Sequence, residues 1–89
     1  MKKYLTITEL ASEYHRSRET IYRYLEQIES EPRYRNAWVY LTQDSPKLVN
    51  RNVFEDFLHF REHLNNRNLR RGLSPYDPMM VARQRGEKQ

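Results

Sequence analysis

The chain of 89 residues contains no cysteine. That excludes a disulfide frame, a thiolate metal site and a cysteine nucleophile. It holds only two glycines and four prolines. No glycine-rich phosphate loop is present. No apolar run approaches the roughly 18 residues that a membrane span needs, and the opening MKKYLTITEL lacks a signal-peptide core. These absences predict a soluble, cytoplasmic protein with no membrane partner. A chain this short buries a modest core but cannot also wall a deep cleft. No internal repeat and no Ser-His-Asp or His-Cys grouping is present. Neither catalysis nor a cofactor is expected.

A uniform excess of one charge is also missing. Residues 1–64 carry ten Lys or Arg against ten Asp or Glu, whereas residues 65–89 carry six against two. The net +4 of the whole chain therefore resides at its C-terminal end. If the body binds nucleic acid, it must use a local patch, and the tail adds sequence-blind attraction to phosphates or is simply solubilising.

The richest local pattern runs from Leu5 to Ile28, LTITELASEYHRSRETIYRYLEQI. Thr6 followed by Glu9 has the form of a capping box. Ile7, Leu10, Ala11 and Tyr14 then make an apolar stripe at helical spacing. Ser17 is a candidate N-cap for a second helix, with Glu19 in its first turn. Ile21, Tyr24, Leu25 and Ile28 form that helix's stripe, at the same spacing as the first. Two short helices joined by a tight turn are the outline of a helix-turn-helix, which presents its second helix to the DNA major groove. The opposite face holds Arg16, Arg18, Thr20, Tyr22, Arg23 and Gln27, side chains that donate to phosphates and base edges. The same face is equally readable as a solvated surface with intrahelical ion pairs. Many helix-turn-helix units carry glycine in the turn, and His15 stands near that place.

Pro32, within ESEPRYRN, ends helical continuity. AWVYL (Ala37–Leu41) reads as a strand, TQDSPK (Thr42–Lys47) as a turn, and Leu48-Val49 as the returning strand. Behind a helix-turn-helix such a hairpin is a wing, with Lys47 its best-placed cation; a plain structural hairpin fits the pattern equally. Asn50 or Asn52 then caps a third helix, in which Phe54, Phe57, Leu58 and Leu64 recur at core spacing. His59 and His63 are four apart, but no third ligand accompanies them, so no metal is expected. The predicted core is Leu5, Ile7, Leu10, Ala11, Tyr14, Ile21, Tyr24, Leu25, Ile28, Trp38, Tyr40, Leu48, Val53, Phe54, Phe57 and Leu58. From Asn65 the composition changes. Leu73, Tyr76, Met79, Met80 and Val81 lie among cations, in a segment read as flexible, ordered on binding, or docked on a partner or neighbouring subunit.

Taken in order, these motifs resemble the small excisionases of conjugative transposons and phages, which have a MerR-like winged helix fold. YLTITELASEYHRSRETIYRYL is similar to their opening helix-turn-helix, TIYRYL to a recurrent string in phage regulators, and NAWVYLTQDSPKLVNRNVFEDFL to their Trp-bearing wing and following Arg-x-x-Phe-Glu helix. The resemblance spans residues 4–64 and implies a mainly α winged helix-turn-helix with a small β-hairpin, order α-α-β-β-α. The domain would be 1–66, followed by a basic tail at 67–89. It implies a non-catalytic protein that binds double-stranded DNA, bends it and assists a tyrosine recombinase (an integrase) in excision, with self-association on DNA. Arg16, Arg18, Thr20, Tyr22 and Arg23 match positions that meet the major groove. Gln43, Ser45 and Lys47 fall at the wing tip, and Arg51 matches a basic position near the DNA backbone. A transcriptional or plasmid-replication regulator on the same scaffold, or a protein-interaction adaptor, are the competing expectations.

Overall fold

The computed structural model describes residues 3–35, 37–42, 46–66, 69, 72, 73 and 75–77. The fold is small and mostly helical, with a three-stranded antiparallel sheet. In chain order the elements are β1 (Tyr4–Leu5), α1 (Ile7–Glu13), α2 (Arg18–Ser30), a 3-10 helix (Pro32–Tyr34), β2 (Tyr40–Thr42), β3 (Leu48–Asn50) and α3 (Arg51–Asn65). Among the described residues, no helix is long and apolar enough to cross a membrane.

The helix starts follow the local chemistry of the sequence. At Thr6 both bonds of the capping box form, Glu9 N–H to the Thr6 hydroxyl at 3.2 Å and Thr6 N–H to the Glu9 carboxylate at 3.0 Å. Ser17 caps α2 by accepting from Thr20 N–H at 3.1 Å. Asn50, rather than Asn52, caps α3, accepting from the N–H groups of Asn52 and Val53.

The expected hairpin is present as β2 and β3, and β1 extends it into a sheet of order β1-β3-β2. Tyr4 pairs with Asn50 and Leu5 with Val49. Two residues are too few for alternation to reveal a strand, so β1 is set by its partner rather than by its own pattern. The strand expected from Ala37 begins only at Tyr40. Val39 N–H turns back to the Ala37 carbonyl at 3.0 Å, which takes Ala37 and Trp38 out of the strand, while the Val39 carbonyl still accepts from Asn50 N–H of β3 at 2.7 Å.

Packing centres on Phe54, fully buried on α3. Its ring lies 5.0 Å from that of Tyr14 and 6.3 Å from that of Tyr24, so one side chain of α3 meets the end of α1 and the inner face of α2. Leu10, Ile21, Leu25, Ile28, Val49, Val53 and Phe57 close around it. Tyr34 and Val49 are core residues that the predicted set left out, while Leu64, read as core from its helical spacing, is buried. Trp38 is the opposite case. Expected in the core, it is 68% exposed, because the turn at 37–39 carries it clear of the sheet while Asn50 Nδ2 holds its carbonyl at 2.9 Å. Beyond α3, Leu73 and Tyr76 pack against the core, and Tyr76 meets Tyr34 edge to face at 5.7 Å.

A carboxylate lies inside this core. Asp56 is 2% exposed, yet Arg33 grips it with Nε at 2.7 Å and Nη2 at 3.0 Å, and the Tyr34 hydroxyl donates at 2.6 Å. All the partners come from the 3-10 helix that follows α2. Burial, reinforced by the bond to Asp56, pushes the Tyr34 hydroxyl far above its ordinary pKa of 10.0.

Asp56→Ala leaves the Arg33 guanidinium buried without its carboxylate and is expected to cost about 3–5 kcal/mol in urea denaturation. Since Tyr34 keeps its proton in the folded chain, its contribution is complete below about pH 10, where the unfolded tyrosine is also neutral, and is lost at higher pH. Folding stability should therefore fall in alkali, by about 1.4 kcal/mol per pH unit for this group alone. Tyr34→Phe should flatten that slope; an unchanged slope would assign it to other groups.

Candidate nucleic-acid interface

The interface expected from the sequence is the α1–turn–α2 pair, and its turn is built without glycine. Helix α1 ends at Glu13 and is capped by Tyr14, whose N–H reaches the Leu10 carbonyl at 3.0 Å. His15 then adopts φ 54°, and Arg16 N–H returns to the Ala11 carbonyl at 3.0 Å. This six-to-one bond with a left-handed residue inside it is a Schellman closure, at the position where glycine is the usual occupant. His15 therefore takes a conformation that L side chains adopt at a cost of about 1–2 kcal/mol. Ser17, two residues on, starts α2 in a new direction.

Helix α2 buries Ile21, Tyr24, Leu25 and Ile28 and leaves Arg18, Glu19, Tyr22, Arg23, Glu26, Gln27, Glu29 and Ser30 exposed. Tyr22 is 54% exposed. Arg23 forms no ion pair or side-chain hydrogen bond with any described residue, although Glu19 and Glu26 lie four residues before and three after it. The other cations are engaged locally. Arg18 Nη2 crosses to the Thr8 hydroxyl at 3.0 Å, which tethers α2 to α1. Arg16 Nη1 folds onto the carbonyls of Tyr14 and His15, at 3.2 and 3.4 Å. Thr20 is half-buried, and its hydroxyl accepts from Ser17 at 2.9 Å.

The outward face is thus mixed rather than cationic. Helix α2 carries two arginines and three exposed glutamates, Glu19, Glu26 and Glu29. Glu19 and Glu26 belong to the alternative reading of this face as a solvated surface of mixed charge, and Glu29 adds to it.

Arg51, expected beside the DNA backbone, is instead buried. Its side chain is 6% exposed and bonded to Glu13 at 2.7 Å, with Glu55 at 3.7 Å and the Tyr14 hydroxyl at 3.4 Å. Tyr14 in turn donates to Glu55 at 2.6 Å. Burial first, and then this bond to Glu55, raise the Tyr14 hydroxyl well above its ordinary pKa. The cluster joins the end of α1 to the start of α3, so the Arg51 charge serves the fold. Lys47 is half-buried, and its ammonium lies 4.7 Å from the centre of the Tyr40 ring, a cation–π contact within the hairpin. Gln43 and Ser45 lie outside the described residues. Among the described residues, no group of three His, Cys, Asp or Glu side chains is placed to hold a metal.

In comparisons with known proteins, no family model matches the chain, and neither the curated proteins nor the solved structures contain a match.

His15→Gly is expected to raise stability by up to about 1 kcal/mol, because relief of the left-handed strain outweighs the added freedom of the unfolded chain. His15→Val, whose branched side chain resists positive φ, should lower it by about 1–2 kcal/mol. Urea titration of the two variants checks the sign of each.

Proposed function

We propose that this protein is a non-catalytic, sequence-specific DNA-binding protein of winged helix-turn-helix type, with α2 as the recognition helix and the β2–β3 hairpin as the wing. The observation that carries this reading is the outer side of α2, where Tyr22, Arg23 and Gln27 are exposed and Arg23 is unpaired among the described residues. An exposed guanidinium without a protein partner keeps its donors for a guanine edge or a phosphate. The capped, Schellman-closed junction with α1 supports the same reading, since it fixes the direction of α2 relative to the helix behind it.

Within that class, the ordered resemblance to small excisionases favours a recombination directionality factor. It would bind sites near the end of a mobile element, bend them and help an integrase assemble there. A promoter or replication regulator would bind DNA in the same way and differ in where its sites lie. The three glutamates on α2 favour a second reading, in which this face grips a basic protein surface.

The proposed binding face is now Tyr22, Arg23 and Gln27, with Thr20 at its edge and Arg16 and Arg18 framing the turn. Glu26 joins it as a residue able to accept from the cytosine amino group.

Gel shifts with random and with selected duplexes across a salt series test the proposal. DNA binding predicts affinity that falls steeply with salt, and flat or absent binding would favour the adaptor. Arg23→Ala should weaken binding to the selected site by about 1–3 kcal/mol while sparing random duplex. Equal losses on both would reassign Arg23 to the phosphates.

A further inference from the structure

Trp38 is the only tryptophan of the sequence and the most exposed large apolar side chain among the described residues. The main chain around it is held firmly. Asn50 Nδ2 binds its carbonyl at 2.9 Å, and Val39 N–H returns to the Ala37 carbonyl at 3.0 Å. An indole left in water on such a support has a broad π face to offer, and a second planar ring is the partner that suits it best.

Beside Trp38 lies a hollow of about 480 Å³, within the roughly 300–1,000 Å³ typical of small-ligand sites. Tyr4 and Tyr76 line it as well, together with Lys3 and Asn52. Lys3 is exposed and forms no ion pair with any described residue. Arg33 also borders the hollow, but its guanidinium is committed to Asp56. No Asp or Glu is among the described residues that line it. A second hollow that Trp38 lines differs in this respect, since Glu29 and Glu31 border it. Charge therefore admits an anionic ligand to the first hollow and opposes one in the second.

We infer that the first hollow binds an unpaired nucleotide of a single-stranded nucleic acid, its base stacked on Trp38 and its phosphate against Lys3. The exposed indole calls for a flat ring and the lone lysine for an anion, and a nucleotide joins the two. Bases in a duplex are stacked on one another, so their faces do not reach a side chain outside the helix. The ligand is therefore a single strand or a melted end rather than paired DNA. Every base has such a face, which makes the site tolerant of sequence. No residue of α2 lines the hollow, so the inference does not rest on α2 reading duplex DNA.

Trp38 supplies the only indole emission of the chain, so stacking reports on itself. Titration of the full-length protein with a single-stranded thymidine octamer should quench that emission, and higher salt should weaken the binding. Anisotropy of a labelled octamer should show about tenfold weaker binding to Trp38→Ala, with most of the affinity restored in Trp38→Phe. Lys3→Gln should lower the salt dependence while leaving the quenching at saturation intact. Both side chains are exposed, so neither change disturbs the core. Arg23→Ala should leave octamer binding unaltered whatever it does to duplex binding; a loss there would place the strand on α2 and overturn the inference. It is overturned too if the octamer leaves the emission unchanged. An abasic octamer that binds as tightly would reduce the contact to phosphate attraction, and quenching by an acidic, proline-rich peptide in place of the octamer would assign the hollow to a protein partner. Either result also overturns it.

Discussion

A carboxylate inside an apolar core must be satisfied, and among the described residues Asp56 is satisfied by one stretch of chain. Arg33 and Tyr34 reach it from the 3-10 helix directly after α2, so the far end of α2 is clamped to α3. The near end is fixed by other polar contacts: the Schellman closure at His15, the Arg18–Thr8 tether, and the Arg51 cluster joining α1 to α3. Phe54 fills the space between these ends. Polar contacts at both ends set the direction of α2, and apolar burial along its inner face sets its depth. Its outer side chains are left with little architectural duty.

That division explains which features were legible in the sequence. Helix starts depend on residues three apart, so Thr6 with Glu9, and Ser17, could be recognised directly. The inner stripes of α1 and α2 follow from helical period alone, and so does the exposure of Tyr22, Arg23 and Gln27. The features that escaped depend on partners far along the chain. Tyr34 and Arg33 look like surface residues within ESEPRYRN until Asp56, more than 20 residues on, draws them inward. Arg51 looks like a free cation until Glu13, 38 positions earlier, takes its charge. Trp38 fails for a local reason: a three-residue turn interrupts the strand that its composition suggested.

The charge pattern constrains how α2 could recognise anything. Its exposed glutamates outnumber its arginines, and residues 1–64 carry no net charge. On such a face phosphate attraction comes from individual cations rather than from net charge, and a mismatched partner meets repulsion as well as lost hydrogen bonds. Discrimination then rests on the geometry of a few donors and acceptors, which is why the rigidity of the support matters.

Between β3 and α3 there is no connecting residue at all. Asn50 closes the strand and Arg51 opens the helix, with Asn50 also capping that helix and holding the Trp38 carbonyl. A slip of one residue at this joint would swing Phe54 by about 100° around the helix axis and empty the centre of the core. The strand β3 and the helix α3 are therefore held in one register, and α3 carries Phe54 against α1 and α2. Through Asn50 and Phe54, the edge of the sheet and the inner face of α2 are thus set by neighbouring residues of one short segment, so a substitution there is felt on both sides.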